Sequence, residues 1–322
     1  MIHDPPPEVD SRAAPPRDGV LLRALKHAWQ DKYLLFMLLP GLVYYILFKY
    51  LPMYGIVIAF EKYSVFKGIT GSRWVGLKHF QDFFQGPDAW KLIRNTLVLN
   101  LYDLAFAFPA PIVLALAFNE LRSGLFRRVT QTVSFLPHFI SMVVVAGLAV
   151  NFLAPSSGII NKLLHEWFGA EPIAFLAKPE YFRGIFVSVN LWKEIGWSSI
   201  LYLAALSGIN PELYEAASID GAGKLRQAWS VTLPGILPTI MILLILKLGH
   251  MLSLGASTII LLYNPSVYET ADVISTYVYR RGLVGTDYSF AAAIDLMNSV
   301  VGILLIFAAN RTSRRLTETS LW

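Results

Sequence analysis

Six ionisable residues stand inside otherwise apolar stretches of this chain: Lys49, Asp103, Lys193, Glu194, Lys247 and Asp295. A charge in apolar surroundings is costly, so each is a candidate for function or for a specific ion pair. Lys193 and Glu194 are neighbours, and on a helix their side chains diverge by about 100°. At least one of them must face protein or water rather than lipid. The segment around them, SVNLWKEIGWSSILYLAAL, also carries Asn190, Trp192, Trp197, Ser198, Ser199 and Tyr202. Rings that stack on pyranose faces, with amides and hydroxyls for the sugar hydroxyls, suit carbohydrate recognition. Interhelical packing and interfacial anchoring by tryptophan make use of the same residue types. Asn151 and Lys247 are further candidates for a polar pathway. Lysines within or bordering apolar runs suit an anionic ligand, unless Asp103 and Asp295 cancel their charge by pairing with a lysine on another helix. Lys49 stands near the end of its run, where a lysine reaches back to the surface.

Other chemistry finds little support. SIDGAGKL resembles a phosphate-binding loop, but that loop needs glycine six residues before its lysine, and position 218 is serine. Lys224 is followed by leucine, so no hydroxyl is supplied for magnesium, and no strand precedes it. No histidine–carboxylate ligand set or nucleophile–base pair stands at useful spacing, and no catalytic, cofactor-binding or metal-binding residues are assigned. His138, beside Pro137, is read as a packed or interfacial residue. With no cysteine, disulfides, thiol catalysis and cysteine-bound metal are excluded.

The elements that must carry the polar residues follow from hydropathy. Of 322 residues, 55% are hydrophobic and 15% charged, with mean hydropathy +0.51. Soluble domains carry about a quarter charged residues. Several runs of roughly 20 residues are nearly free of charge, the length that crosses about 30 Å of hydrocarbon. The expectation is an all-α polytopic membrane protein. Six crossings are expected, over about 33–48 (running on through Lys49 towards residue 60), 95–118, 129–153, 184–206, 236–262 and 290–309. Pro40 and Pro52 leave the outer end of the first open to a break or re-entry. Pro109, Pro111 and Pro137 remove backbone hydrogen bonds within the second and third, shaping a cavity or merely curving the helices.

Residues 1–32 read as a polar tail with a short surface helix over 20–32, residues 33–310 as the membrane domain, and 311–322 as a second tail. With the N-terminus cytoplasmic, the inside segments hold 13 lysines and arginines against 11 outside. The short loop NELRSGLFR with Arg128, and the tail RTSRR, favour both termini inside. The formal charge of +5 is read as basic residues meeting anionic lipid, not nucleic acid.

Between the fourth and fifth crossings lies YEAASIDGAGKLRQAWSVTLPG, Tyr214 to Gly235. Asn210-Pro211-Glu212 is a helix start: a capping amide, a proline at the first helical position and an acid at the positive helix end. Gly221 and Gly223 suit a sharp turn. A second short helix is expected from Lys224 to Thr232, and Leu233-Pro234-Gly235 should then redirect the chain. The reading is a helix–turn–helix elbow tied at both ends to crossing helices. It is either a docking element or a plain connector, although simple helix–helix links commonly take 2–8 residues.

The array Glu215-Ala216-Ala217, three residues, Gly221, nine residues, then V-x-Leu233-Pro234 resembles the EAA signature of binding-protein-dependent ABC importer permeases. Val231 stands where that signature has isoleucine. PMYGIVIAFEKYSVFKGITGSRWVGLKHFQDFF (52–84) and YNPSVYETADVISTYVYRRGL (263–283) extend the resemblance. They are similar to the maltose-type oligosaccharide branch, and closest in look to permeases for uronate- or alginate-type oligosaccharides. The resemblance implies a type I importer transmembrane domain forming half of an alternating-access pathway in the bacterial inner membrane. Its implied partners are a second homologous permease subunit, two cytoplasmic ATPases that use ATP and Mg2+, and an extracytoplasmic solute-binding protein. Glu215, Ala216, Ala217, Gly221, Leu233 and Pro234 would couple to the ATPases. An ion-coupled transporter working through Asp103, Asp295 and Glu194, or a non-transporting scaffold, are the alternatives.

Overall fold

The computed structural model describes residues 32–121, 124–251 and 255–317. Apart from Lys32, the expected surface helix over 20–32 lies outside the described residues. The chain divides at Ile56 and Val57 into two units. In the first, helix α1 (Lys32–Tyr45) passes through a π-helical turn at Ile46–Tyr50 into a 3-10 run, Leu51–Phe60. Lys32–Phe60 form one helical stretch of 29 residues, whose apolar 18-residue window has mean hydropathy 1.8.

The physical reason lies in the backbone ladder. Proline cannot donate to the carbonyl four residues back, and its ring clashes with that carbonyl. Leu51 N–H instead reaches Ile46 O, five residues back, so the hydrogen-bond register changes just before Pro52. The same device recurs at a π turn over Asp103–Ala107 before Pro109 and at another over Ala228–Thr232 before Pro234. Each proline follows its π turn by two positions, and the helical course continues past all three.

In the second unit a two-stranded hairpin pairs β1 (Glu61–Lys62) with β2 (Arg73–Trp74). Helix α2 then runs from Ala89 to Glu120, starting six residues earlier than the apolar pattern indicated. Helices α3 (Leu125–Phe135, with a 3-10 turn Leu136–Phe139) and α4 (Met142–Phe152) replace the third expected crossing. They meet at 101°, because Ile140 is extended and Ser141 caps a new helix. Helix α5 (Ile159–Phe168) follows, then α6 (Pro179–Ser207), the elbow helix α7 (Pro211–Ile219), and α8 (Lys224–Gly249). A short α9 (Ala256–Leu262) and the long α10 (Tyr288–Thr317) complete the order.

Two boundaries are corrected. The chain is not redirected at Leu233-Pro234-Gly235, since Lys224 to Gly249 is one helical stretch of 26 residues. The expected crossing over 236–262 accordingly ends at Gly249, and α9 is a separate helix entered through Gly255 at φ +74. The last helix extends to Thr317, so Arg311, Arg314 and Arg315 of the expected tail are helical.

Among the described residues four stretches are long and apolar enough to cross a membrane, and the bent α3–α4 pair makes a fifth if it is one broken crossing. Helix α6 has the length, roughly 44 Å at 1.5 Å per residue, but it carries the polar segment around Lys193–Glu194. It is a packing hub: α2, α3, α4, α8 and α9 all pack on it. One core cluster gathers Leu99, Ala146, Phe182, Phe186 and Ile259, and another gathers Ile112, Ala115, Tyr202, Leu206 and Ile236. Gly196 lets the α3 backbone approach α6 closely, because a Cβ there would lie 1.9 Å from Ser134 O. Overpacking of this kind costs about 1–3 kcal/mol. G196A is expected to lower the unfolding midpoint in detergent, while the exposed-face control G184A leaves it close to wild type.

Candidate functional site

Helix α6 turns two adjacent faces to two different tasks. Asn190, Glu194 and Ser198 are four residues apart and share one face, while Lys193 and Trp197 share the next. The first face lines a cavity of about 330 Å3, together with Asp103, Pro111, Lys247, Ser257 and Thr258. Thr258 Oγ1 donates to Asn190 Oδ1 at 3.2 Å, and Asn190 Nδ2 donates to Phe186 O. The wall thus offers hydroxyls, an amide and carboxylates in one concave place.

Its charges are compensated. Lys247 Nζ lies 2.6 Å from Asp103 Oδ2, with Asp103 buried, so the expected pairing of this acid with a lysine on another helix is present. Lys193 Nζ lies 3.1 Å from Glu194 Oε1 and donates to His138 O at 2.8 Å. His138 Nδ1 meets Glu194 Oε2 at 2.9 Å, and its ring stacks on Trp197 at 4.5 Å and 4°. His138 is therefore more than a packed residue: it joins the bend between α3 and α4 to the cavity wall. Nothing in the sequence marks that role, because its partner is 56 positions away. Both lysines are engaged by acids of this chain, which leaves little of their charge for an anionic ligand.

The other candidates sit elsewhere. Tyr202 is buried in the apolar cluster with Ile112 and Ile236, and Trp192 is 48% exposed on the outside of α6. Asn151 is exposed and turns its amide back to Gly147 O. Asp295 lines a second cavity of about 330 Å3 with Ser275, Tyr279 and Asn298, and among the described residues no lysine or arginine lies within ion-pair distance of it.

The elbow is built by its own hydrogen bonds. Asn210 Oδ1 accepts from Glu212 N at 3.1 Å and caps α7. At the far end Ala222 N bonds to Ala217 O and Gly221 N to Ser218 O, with Gly221 at φ +73, a Schellman turn. Gln227 Nε2 crosses the turn to Ser218 Oγ and Ala222 O, each at 2.9 Å, and Tyr214 OH reaches Thr232 Oγ1. Glu215 and Ala216 remain exposed, as do the apolar Ile219, Leu225 and Trp229. A groove of about 540 Å3 runs between this elbow and the end of α2, lined by Glu120, Tyr214, Glu215 and Lys224. Leu233 is half-buried and Pro234 exposed at the start of the straight part of α8.

On the opposite side of the chain the segment 263–288 folds on α2 and α6. Arg280 forms two hydrogen bonds to the buried Asp272 carboxylate, at 2.7 and 3.1 Å. Those bonds hold its guanidinium more firmly charged than usual, against the cost of burial. Asn95 Nδ2 donates to Glu269 O and Asp272 O, fastening the segment to α2.

A helical membrane protein with a polar cavity and a rigid elbow is the framework of a transport permease, a subunit that moves a solute without altering it. This chain belongs to the family described as the binding-protein-dependent transport system inner membrane component, whose model matches residues 107–318. It is 45% identical over 315 residues to the polygalacturonan/rhamnogalacturonan transport system permease protein YteP of Bacillus subtilis (strain 168), covering 96% of this chain and 98% of that one. Protein LplB of the same organism is 45% identical over 312 residues, covering 95% and 98%. The fold matches a chain in the crystal structure of a bacterial ABC transporter involved in the import of the acidic polysaccharide alginate. That match has a TM-score of 0.85 and 47% identity, covering 92% of this chain and 99% of that one.

A side chain at Gly221, held at φ +73, would resist that left-handed conformation, at a cost of about 1–2 kcal/mol for ordinary residues and more for a β-branched one. G221V is therefore expected to misaim α8 relative to α7. Its check is limited proteolysis in detergent, in which the elbow should be cleaved faster than in wild type.

Proposed function

We propose that this chain is one half of the translocation pathway of an ATP-driven oligosaccharide importer, serving acidic oligosaccharides. The observation that carries the reading is the continuity of α8, which starts at the elbow turn and ends at the cavity wall with Lys247. A helix of 26 residues passes a displacement at one end to the other. The permease domain spans residues 33–310, including the elbow over 209–235, with both termini in the cytoplasm of a bacterial cell. Glu215, Ala216, Ala217, Gly221, Leu233 and Pro234 form the coupling surface for ATPase subunits. Exposed small residues beside one acid allow close helix approach and a charge-assisted contact.

Asn190, Glu194 and Lys247 make the pathway wall and Lys193 and Trp197 hold it, while Trp192, Asn151 and Tyr202 lie away from it. The chain performs no covalent chemistry and binds no cofactor or metal. ATP and Mg2+ act on two partner ATPases, a second permease subunit supplies the other half of the cavity, and an extracytoplasmic binding protein delivers the sugar. Support for an acidic substrate comes from the solutes named for similar proteins, polygalacturonan, rhamnogalacturonan and alginate. A second similar structure, at 46% identity and TM-score 0.85, is of an alginate transporter in complex with a periplasmic protein bound to an alginate pentasaccharide.

The test is reconstitution in vesicles with the neighbouring subunits. ATP hydrolysis should rise when the binding protein carries uronate-containing oligosaccharides, and less with neutral ones of equal length. E215A should abolish the rise while the membrane subunits still co-purify. Transport that runs on an ion gradient without ATP, or an assembly with no solute-dependent ATP turnover, would overturn the proposal.

A further inference from the structure

Helices α2 and α8 are joined by ion pairs at two separate places. Lys224, the first residue of α8, lies 3.1 Å from Glu120, the last residue of α2, and both side chains are exposed. Near the other end of α8, Lys247 lies 2.6 Å from Asp103, whose side chain is only 7% exposed. The helices run antiparallel, and the two rungs are separated by roughly 35 Å along α8 at 1.5 Å per residue. Between the rungs, α6 packs on both helices through Ile112, Ala115, Tyr202, Leu206 and Ile236. Such apolar contacts are non-directional. Among the described residues, the ion pairs between α2 and α8 are these two, one at the elbow and one at the cavity.

Resting on the importer reading above, we propose that Asp103 and Lys247 are a positioning pair that registers the state of the elbow at the cavity. They are joined in the arrangement described here and separated when α8 shifts against α2. The exposed Lys224–Glu120 rung is screened by solvent and holds weakly. The buried rung resists separation, because a carboxylate in Asp103's position is poorly solvated without its cation. The pair thus biases the assembly towards the arrangement in which it is closed, and ATP-driven movement of the elbow must open it. Since both residues line the cavity, opening also changes the charge that the wall presents to a bound solute.

The experiment uses the complete reconstituted assembly. D103N and K247M are expected to raise ATP hydrolysis in the absence of loaded binding protein several-fold. The ratio of stimulated to unstimulated turnover should fall towards one. The exchange variant D103K/K247D should restore the low unstimulated rate, which a purely structural loss would not allow. A second measurement leaves the pair intact. Leu104 and Leu248 flank the same small cavity as Asp103 and Lys247, and the chain contains no cysteine. L104C/L248C treated with a short bifunctional thiol reagent should crosslink in high yield without nucleotide and in low yield when trapped with ATP and vanadate. Crosslinking equal in both states would overturn the proposal, as would wild-type turnover ratios in D103N and K247M. If the wild-type assembly hydrolyses no ATP, the importer reading itself fails, which is a distinguishable result.

Discussion

Charge neutralisation among apolar helices is the constraint on which this structure depends. An unpaired ion in such surroundings is costly, and removal of one partner from a buried pair costs about 3–5 kcal/mol. The chain meets the constraint both across helices and within one. Asp103 on α2 is matched by Lys247 on α8. Glu194 on α6 is matched by its neighbour Lys193 and by His138 at the end of α3. The Asp103–Lys247 pair and the His138–Glu194 contact join faces of different helices. They also leave behind a cavity that is polar without a large net charge on its wall.

Keeping helices continuous through prolines is the second recurring solution. A π turn two residues before Pro52, Pro109 and Pro234 shifts the backbone ladder so that each proline occupies a place where no donor is needed. In α8 the consequence is that one stretch of helix links the elbow turn at Gly221–Gly223 to Lys247 at the cavity. Where a stop is wanted, a different device is used. Ile140 and Ser141 are extended between α3 and α4, and Gly255 turns the chain at positive φ into α9.

The elbow and the cavity have opposite surface chemistry for a common reason. The elbow satisfies its own polar groups through Asn210, Gln227 and the Schellman turn, so its exposed acid, alanines and apolar side chains are free for a partner. The cavity wall keeps Ser198, Ser257 and Thr258 beside Asn190, the groups a sugar hydroxyl can meet. Stacking by Trp197 is taken up by His138 instead, which fastens the broken helix pair to α6.

Hydropathy and local chemistry in the sequence by themselves determined the membrane class, the capped start of α7 at Asn210, the glycine turn and the family signature. These depend on runs of neighbouring residues, and Gly221 needs only its own φ. The four-residue spacing of Asn190, Glu194 and Ser198 was likewise readable as one face of a helix. Only the tertiary structure decided that α8 runs unbroken past Pro234, that the apolar run 236–262 divides after Gly249, and that α6 is a packed hub. It alone matched Lys247 with Asp103, brought His138 to Glu194 and buried Tyr202 in an apolar cluster. The physical reason is that a side chain's burial and ion partner are set by helices distant in the chain, whereas periodicity and capping report only a residue's near neighbours.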